Sequence, residues 1–156
     1  MSLKVNQTAP NFKLFNTVKQ ETNLSDYKGK NVVLLFFPLA FTSVCTAELC
    51  TVRDNYDLYE DLNAVVFGIS VDSVYTLAKF KEEQGLNFEL LSDFNKAASK
   101  EYDSLYPVFG LGMEGVSKRS AFVIDKEGII RYAEILENVS VQPDFEKIKA
   151  CLEQLK

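Results

Sequence analysis

An unbroken apolar run, Val32 to Phe37, is followed by a proline, a short loop and a segment with helical periodicity. Six apolar residues in succession are typical of a strand that is buried on both faces, as central parallel strands usually are. Pro38 has no N–H for a sheet ladder and ends the predicted strand. From Cys45 onward, apolar side chains recur at Leu49, Val52, Tyr56 and Tyr59. This spacing predicts a helix from Cys45 to near Leu62, with Cys45 in its first turn.

The remaining chain alternates between strand-like and helix-like segments. The predicted strands cover residues 11–18, 20–24, 64–71, 88–91, 120–124 and 129–136. The predicted helices run from Asp72 or Ser73 to Gly85, over residues 95–102, and from Pro143 through Phe145, Ile148, Leu152 and Leu155. Residues 103–118 contain several glycines and a proline and are predicted to form a loop, and residues 125–128 a hairpin turn.

This order combines parallel strand–helix–strand units with an antiparallel hairpin near the C-terminus. It predicts an α/β protein with a mixed central β-sheet, flanking helices and an N-terminal β-hairpin extension. Among folds that place a cysteine at the start of the helix after the first core strand, the thioredoxin fold fits best. No repeat, low-complexity tract or linker interrupts the pattern, so residues 1–156 are predicted to form one domain.

The composition narrows the range of partners and compartments. The net charge is −5 and the isoelectric point is about 4.8, which argues against nucleic acid or an anionic membrane surface as a partner. The first thirty residues lack the apolar centre of a signal peptide, and no segment approaches the roughly 18 to 20 apolar residues of a membrane span. We therefore expect a cytoplasmic protein.

The chain contains three cysteines and no histidine. The missing histidine excludes Cys–His and Ser–His catalytic couples and depletes the usual zinc ligand sets. The unpaired N–H groups of a helix N-terminus favour an anion, and cysteines placed there react as thiolate nucleophiles. Cys45 is therefore the candidate nucleophile. The alternative is a small apolar core residue, which is the common role of a buried cysteine.

Pro38, Thr42 and Cys45 form the pattern P-x-x-x-T-x-x-C, which resembles the active-site signature of the peroxiredoxins. Glu48 and Arg119, the latter in VSKRSAFVIDKEGIIRY, stand where that family keeps an acidic residue and a second-site arginine, and NQTAPNFKL resembles its opening segment. The stretch PLAFTSVCTAEL is similar to that of the small AhpE peroxiredoxins. A second cysteine five residues after Cys45, here Cys50, resembles the bacterioferritin-comigratory (PrxQ) peroxiredoxins. The resemblance covers nearly the whole chain.

The resemblance implies a thiol-dependent peroxidase that reduces hydrogen peroxide and organic hydroperoxides through a sulfenic acid on Cys45. It implies no metal or bound cofactor, a thioredoxin- or glutaredoxin-like reductant, and a monomer or homodimer. Arg119 and the hydroxyl of Thr42 would bind the thiolate and the peroxide, and Pro38 would shield the sulfur from water. Phe41, Tyr106 and Phe109 would serve either a dimer contact or the core.

Cys50 is the candidate resolving cysteine, although C-x4-C is not the motif of a thioredoxin. On one helix, five residues separate the two Cα atoms by about 8 to 9 Å, whereas a disulfide needs less than about 7 Å. A Cys45–Cys50 disulfide would therefore require the helix to unwind locally. The alternatives are a one-cysteine peroxidase resolved by an external thiol, a thiol–disulfide oxidoreductase and a redox sensor. Cys151 is expected to be a packing residue rather than a resolving one.

Arg53 is predicted to support the site or to pair with Glu48 or Asp57 along the helix. A C-x5-R phosphatase loop would need arginine at position 51, where Thr51 stands. The predicted set therefore comprises catalytic Cys45, Thr42, Arg119 and Pro38, resolving Cys50, and supporting Glu48 and Arg53.

Overall fold

The computed structural model describes residues 4–138 and 140–155. Its strands are β1 (Lys13–Asn16), β2 (Glu21–Asn23), β3 (Asn31–Phe36), β4 (Ala64–Ser70), β5 (Glu89–Ser92), β6 (Leu105–Val108), β7 (Glu114–Ser117), β8 (Ser120–Ile124) and β9 (Ile130–Ile135). Its α-helices are α1 (Ser43–Asp54), α2 (Tyr56–Asp61), α3 (Val74–Gln84), α4 (Ala97–Glu101) and α5 (Phe145–Gln154).

The central sheet has the strand order β2-β1-β5-β4-β3-β8-β9. Strand β4 pairs in parallel with both β3 and β5, whereas β8 pairs antiparallel with β3 and β9. The hairpin of β1 and β2 joins the sheet through antiparallel pairing of β1 with β5. The prediction of a mixed sheet with an N-terminal hairpin is therefore confirmed.

Strand β3 is buried along its whole length, as its apolar run predicts. Its side chains alternate between the two faces of the sheet, so that Val33 and Leu35 join the cluster under α1, α3 and α5. Leu34 and Phe36 join the cluster on the other face, together with Tyr102. Because both faces are packed, the end of β3 is held firmly, and the loop that leads to α1 begins there.

The single helix predicted from Cys45 to Leu62 is two helices, and that prediction is wrong in this respect. Helix α1 begins at Ser43 and ends at Asp54, and α2 follows after Asn55. Asn55 leaves helical geometry with φ −118° and ψ 18°, and its side-chain amide donates to the carbonyl of Thr51 at 2.8 Å. Asparagine forms such local hydrogen bonds readily and thereby interrupts helices. The apolar spacing concealed the break because both helices pack against the same core cluster.

The prediction of a loop over residues 103–118 is also wrong. Strands β6 and β7 form a separate two-stranded antiparallel sheet, with Leu105 opposite Ser117 and Tyr106 opposite Val116. The short β6 contains Pro107, which is tolerated only at a sheet edge and argued against a strand in the sequence. This hairpin carries Phe109 toward the end of β3.

The helix boundaries around α3 and α5 follow their capping residues. Ser73 caps α3 by accepting from the N–H of Thr76 at 3.2 Å, and Gly85 ends it in the left-handed conformation, as predicted. Helix α5 begins at Phe145 with Asp144 as its cap, so Pro143 lies just outside the helix rather than at its start. Within the described residues, no helix is long and apolar enough to cross a membrane.

Candidate active site

The loop between β3 and α1 is fixed by contacts from the neighbouring strand and helix. The N–H of Ala40 donates to Oδ2 of Asp72 at 2.8 Å, which ties the loop to the end of β4. Phe41 adopts a left-handed conformation with φ 66°, unusual for an aromatic residue. Its ring packs edge-on against Phe80 of α3, with centroids 5.1 Å apart. These contacts determine where the chain enters α1.

Cys45 is the third residue of α1 and is completely buried. Its position in the first turn is the one predicted from the sequence. Arg119, which directly precedes β8, donates from Nη2 to the Sγ of Cys45 at 3.2 Å. The positive guanidinium thus lies directly beside the sulfur, at the helix end whose dipole is also positive.

A buried ion pair orients this guanidinium. Nη1 of Arg119 donates to Oε1 of Glu48 at 2.5 Å, and the side chains are 2% and 0% exposed, respectively. Glu48 is three residues after Cys45, so both side chains lie on one face of α1. The carboxylate and the sulfur therefore hold the guanidinium between them from a single helix.

Burial and the neighbouring charges together shift the pKa values of Glu48 and Arg119. Burial raises the pKa of Glu48 to about 7, although the positive charge of Arg119 opposes the shift. Burial also disfavours the charge on Arg119, but the negative charges of Glu48 and Cys45 outweigh it and raise the pKa of the guanidinium. Oε2 of Glu48 is buried and has no hydrogen-bond partner among the described residues. The cluster thus holds a permanent cation beside a carboxyl group that titrates near neutrality.

Thr42 occupies the N-cap position of α1 without capping the helix through its side chain. Its hydroxyl donates to the carbonyl of Leu39 at 2.7 Å, while its own carbonyl accepts from both the N–H and the hydroxyl of Thr46 at 2.9 and 2.8 Å. The oxygen of the Thr42 hydroxyl keeps its lone pairs, so it can accept a hydrogen bond from a bound molecule.

These side chains line a cavity of about 120 Å³ above Cys45. Pro38, Thr42 and Arg119 belong to the predicted set, and Phe109 and Ser140 complete the lining from distant parts of the chain. Sequence reasoning considered Phe109 only for a dimer contact or the core and missed Ser140, because neither residue belongs to a recognisable motif. The cavity is small, open to solvent and bears a sulfur, a cation and a hydroxyl.

Cys50 also lies on α1, but it is partly exposed and faces the end of α3. Its Sγ is 3.6 Å from Oε1 of Gln84. Arg53 does not pair with Glu48 or Asp57. It contacts Asp54 at 2.9 Å and the backbone carbonyl of Gln84 at 2.5 Å instead. The structure therefore places Cys50 and Arg53 together but away from the cavity.

The thiols of Cys45, Cys50 and Cys151 are all free. Cys151 is half-buried on α5 and packs against the core cluster, and burial raises the pKa of its thiol. Among the described residues, no group of three or more acidic or cysteine side chains is arranged to hold a metal ion.

Several known proteins are similar to this chain in sequence and in fold. The AhpC/TSA family matches residues 5–133. Peroxiredoxin Bcp of Bacillus subtilis is 40% identical over 130 residues, which is 82% of each chain. Alkyl hydroperoxide reductase E of Mycobacterium tuberculosis is 40% identical over 136 residues, covering 85% of this chain and 86% of that protein. The crystal structure of peroxidoxin BcpB from Mycobacterium tuberculosis superposes with a TM-score of 0.87 at 29% identity, covering 99% of both chains.

The chain therefore belongs to the AhpC/TSA family, the peroxiredoxins. The similarity to Bcp and to alkyl hydroperoxide reductase E confirms the resemblance seen in the sequence. The match to a solved peroxidoxin over nearly the entire chain confirms the predicted thioredoxin fold.

Proposed function

We propose that this thiol-dependent peroxidase reduces hydrogen peroxide and organic hydroperoxides at Cys45. The observation that carries the proposal is the contact of Arg119 Nη2 with Cys45 Sγ, 3.2 Å, beneath a cavity large enough for a peroxide. Membership of the peroxiredoxin family supports thiol peroxidase activity, and the name alkyl hydroperoxide reductase E supports an organic hydroperoxide among the substrates.

In the proposed reaction, the thiolate of Cys45 attacks the nearer peroxide oxygen. A sulfur–oxygen bond forms as the oxygen–oxygen bond breaks, leaving a sulfenic acid and releasing water or an alcohol once the leaving oxygen takes up a proton. Arg119 stabilises the charge that develops on the leaving oxygen. Thr42 accepts a hydrogen bond from the peroxide, and Pro38 limits access of water to the sulfur.

The proposed cycle closes when Cys50 attacks the sulfenic acid and a thioredoxin- or glutaredoxin-like protein reduces the disulfide. Both cysteines lie on α1, so their Cα atoms are about 8 to 9 Å apart on a regular helix. The first turns of α1 must therefore unwind before the disulfide forms. A one-cysteine cycle, resolved by an external thiol, is the competing possibility.

We further propose that residues 1–156 act as one domain in the cytoplasm, as a monomer or homodimer. Core clusters on both faces of one sheet support the single domain. A reducing compartment suits three free thiols. The exposed ring of Phe41, beside the cavity, is available for a dimer contact, which sedimentation measurements across a concentration series would detect.

Two assays test the proposal. The first follows peroxide consumption with thioredoxin and its reductase, and we expect sustained turnover that Thr42→Val reduces strongly. A thiol–disulfide oxidoreductase would lose little from Thr42→Val, and a redox sensor would be oxidised without turnover. The second is mass analysis after one equivalent of peroxide. A Cys45–Cys50 disulfide is expected, whereas a lasting sulfenic acid on Cys45 with Cys50 still free would assign the one-cysteine cycle.

A further inference from the structure

The Cys50 end of α1 is tied to the C-terminal end of α3 by three hydrogen bonds. The thiol of Cys50 donates to Oε1 of Gln84 at 3.6 Å. Nη1 of Arg53 donates to the backbone carbonyl of the same Gln84 at 2.5 Å. The side-chain amide of Asn87 donates to the carbonyl of Arg53 at 3.2 Å. The turn from Cys50 to Arg53 is therefore docked onto Gln84, the last residue of α3, and onto Asn87 just beyond it.

The Cys45 end of α1 lacks several features that stabilise a helix N-terminus. Thr42 makes no side-chain cap, and the first turn contains no acidic residue to complement the helix dipole. Val44 and Thr46 are β-branched and weaken the helix further. Oxidation of Cys45 to a neutral sulfenic acid also removes the negative charge that attracts Arg119. The first turn is thus the end that loosens after oxidation, while Cys50 remains docked.

Docking affects the chemistry of Cys50 as well as its position. The Cys50 thiol donates to Gln84 in the reduced protein, and its sulfur must leave this acceptor to attack the sulfenic acid. In the resolving step the sulfur–sulfur bond forms, the sulfur–oxygen bond of the sulfenic acid breaks, and the proton of Cys50 leaves with the hydroxyl as water. The contact with Gln84 is present before this step and must be lost during it.

We propose that Gln84 is a positioning residue that holds the Cys50 thiol away from Cys45 and thereby prolongs the life of the sulfenic acid. This proposal rests on the resolving role of Cys50 in the proposed function. The hydrogen bond to Gln84 stabilises the protein before disulfide formation but is absent from the transition state. Its free energy is therefore added to the activation barrier of the resolving step. A longer-lived sulfenic acid also gives a second peroxide more time to oxidise it to the sulfinic acid.

The decisive variant is Gln84→Met, which removes the acceptor oxygen but keeps a side chain of similar length and helix propensity. We expect disulfide formation about 2- to 10-fold faster than in the wild type, as the loss of one modest hydrogen bond implies. The measurement adds one equivalent of peroxide, quenches at timed intervals, traps sulfenic acid and free thiol with separate reagents, and quantifies the Cys45–Cys50 peptide by mass. Sulfinic acid per turnover at high peroxide should fall in the same proportion.

Two controls separate this role from a structural one. Gln84→Glu keeps an acceptor oxygen and should resolve no faster than the wild type. Glu83→Gln changes the exposed neighbouring residue and should leave resolution unchanged. The rate constant for oxidation of Cys45 should be the same in all variants, which also shows that each is folded.

The outcomes are distinct. Wild-type protein that forms no Cys45–Cys50 disulfide overturns the resolving role of Cys50 and the role of Gln84 with it. Disulfide formation in the wild type at a rate that Gln84→Met leaves equal or slows overturns the role of Gln84 alone. Equal acceleration by Gln84→Met and Gln84→Glu also overturns it, because the acceptor oxygen would then be irrelevant.

Discussion

Arg119 contacts the reactive sulfur of Cys45 through Nη2 and the buried carboxylate of Glu48 through Nη1. Its ion pair with Glu48 and its contact with Cys45 come from neighbouring turns of α1, so the helix sets the direction of the guanidinium. A buried ion pair contributes little net stability, because both charges lose their hydration. What this pair contributes is orientation, since a guanidinium that is fixed in place needs no rearrangement when charge develops on the peroxide.

The raised pKa of Glu48 makes the stability of the protein depend on pH. Burial raises it from 4.5 to about 7, so between these values the folded protein binds more protons than the unfolded chain. Glu48 therefore makes its full contribution to the free energy of unfolding below pH 4.5, and this contribution is lost as pH rises toward 7. At about 1.4 kcal/mol per pH unit, the loss is about 3 kcal/mol. Urea unfolding of wild type and Glu48→Gln under reducing conditions, from pH 4.5 to 8, measures it.

As pH rises from 4.5 to 7, the unfolding free energy of the wild type should fall relative to that of Glu48→Gln. Glu48→Gln keeps an acceptor for Arg119 but cannot ionise, so it isolates the titration of this one carboxyl group. Parallel pH profiles would contradict the assignment and would mean that Glu48 is already ionised in the folded protein at pH 4.5.

Helix α1 carries both cysteines, and its two ends differ in how they are held. The N-terminal turn lacks a side-chain cap, whereas the Cys50–Arg53 turn is bonded to Gln84 at the C-terminal end of α3. A helix turn without a side-chain cap or a complementary charge opens at lower free energy than a turn that has them. Unwinding on oxidation is therefore expected to begin at Ser43.

Oxidation with one equivalent of peroxide should expose the backbone of α1 to exchange. We expect amide hydrogens from Cys45 to Leu49 to exchange at least about 10-fold faster in the disulfide form, because the lost helical bonds protected them. Hydrogen exchange followed by mass spectrometry measures this. In Cys50→Ser, which stops at the sulfenic acid, the same amides should exchange more slowly than in the disulfide form. Equal protection in the reduced and disulfide forms would contradict the unwinding.

The elements that the sequence predicts well are those with one strong physical signal. The apolar run of β3 and the serine and glycine that bound α3 are of this kind. The hairpin of β6 and β7 has no such signal, because its strands are short, partly exposed and interrupted by Pro107. The end of α1 was missed for a different reason. Asn55 breaks the helix locally, while the apolar spacing continues into α2.

The active site depends on close packing at the centre of the sheet. Gly68 of β4 lies opposite Leu35 of β3, and a Cβ at this position would lie 2.7 Å from Leu90, 3.3 Å from Phe37 and 3.6 Å from Leu49. Phe37 precedes Pro38, and Leu49 belongs to α1. The absence of a side chain at Gly68 therefore lets β4, β5 and α1 approach one another behind Cys45.

Gly68→Ala should lower the free energy of unfolding by about 1 to 3 kcal/mol, the usual cost of overpacking a core. Gly110→Ala is the matched control, because a Cβ there has nothing within 4 Å and its φ is not positive. Denaturant unfolding of both variants measures the difference. Equal stability of Gly68→Ala and Gly110→Ala would show that the packing behind α1 adapts more easily than these distances imply.

Sequence patterns alone do not show which distant residues the fold brings together at the site. Arg119 is 74 positions from Cys45, and only the family resemblance placed it at the sulfur. Its pairing with Glu48 was missed, since the sequence offered Arg53, on the same predicted helix, as a possible partner of Glu48 or Asp57. Burial decides between these partners, because Glu48 faces the core, whereas Arg53 lies at the surface beside Asp54. Ser140 joins the cavity wall through the fold alone.

The most direct test is the stopped-flow rate constant for oxidation of Cys45 by hydrogen peroxide, compared between wild type and Arg119→Ala. The wild type should react far faster than an unassisted cysteine, and Arg119→Ala should lose about 10²- to 10³-fold, as removal of a donor to developing charge typically does. Arg131→Ala, which removes an arginine paired with Asp125 rather than with Cys45, should react like the wild type. A wild-type rate no higher than that of an unassisted cysteine, or an unchanged rate in Arg119→Ala, would contradict the assignment of Cys45 and Arg119 as the peroxidatic centre.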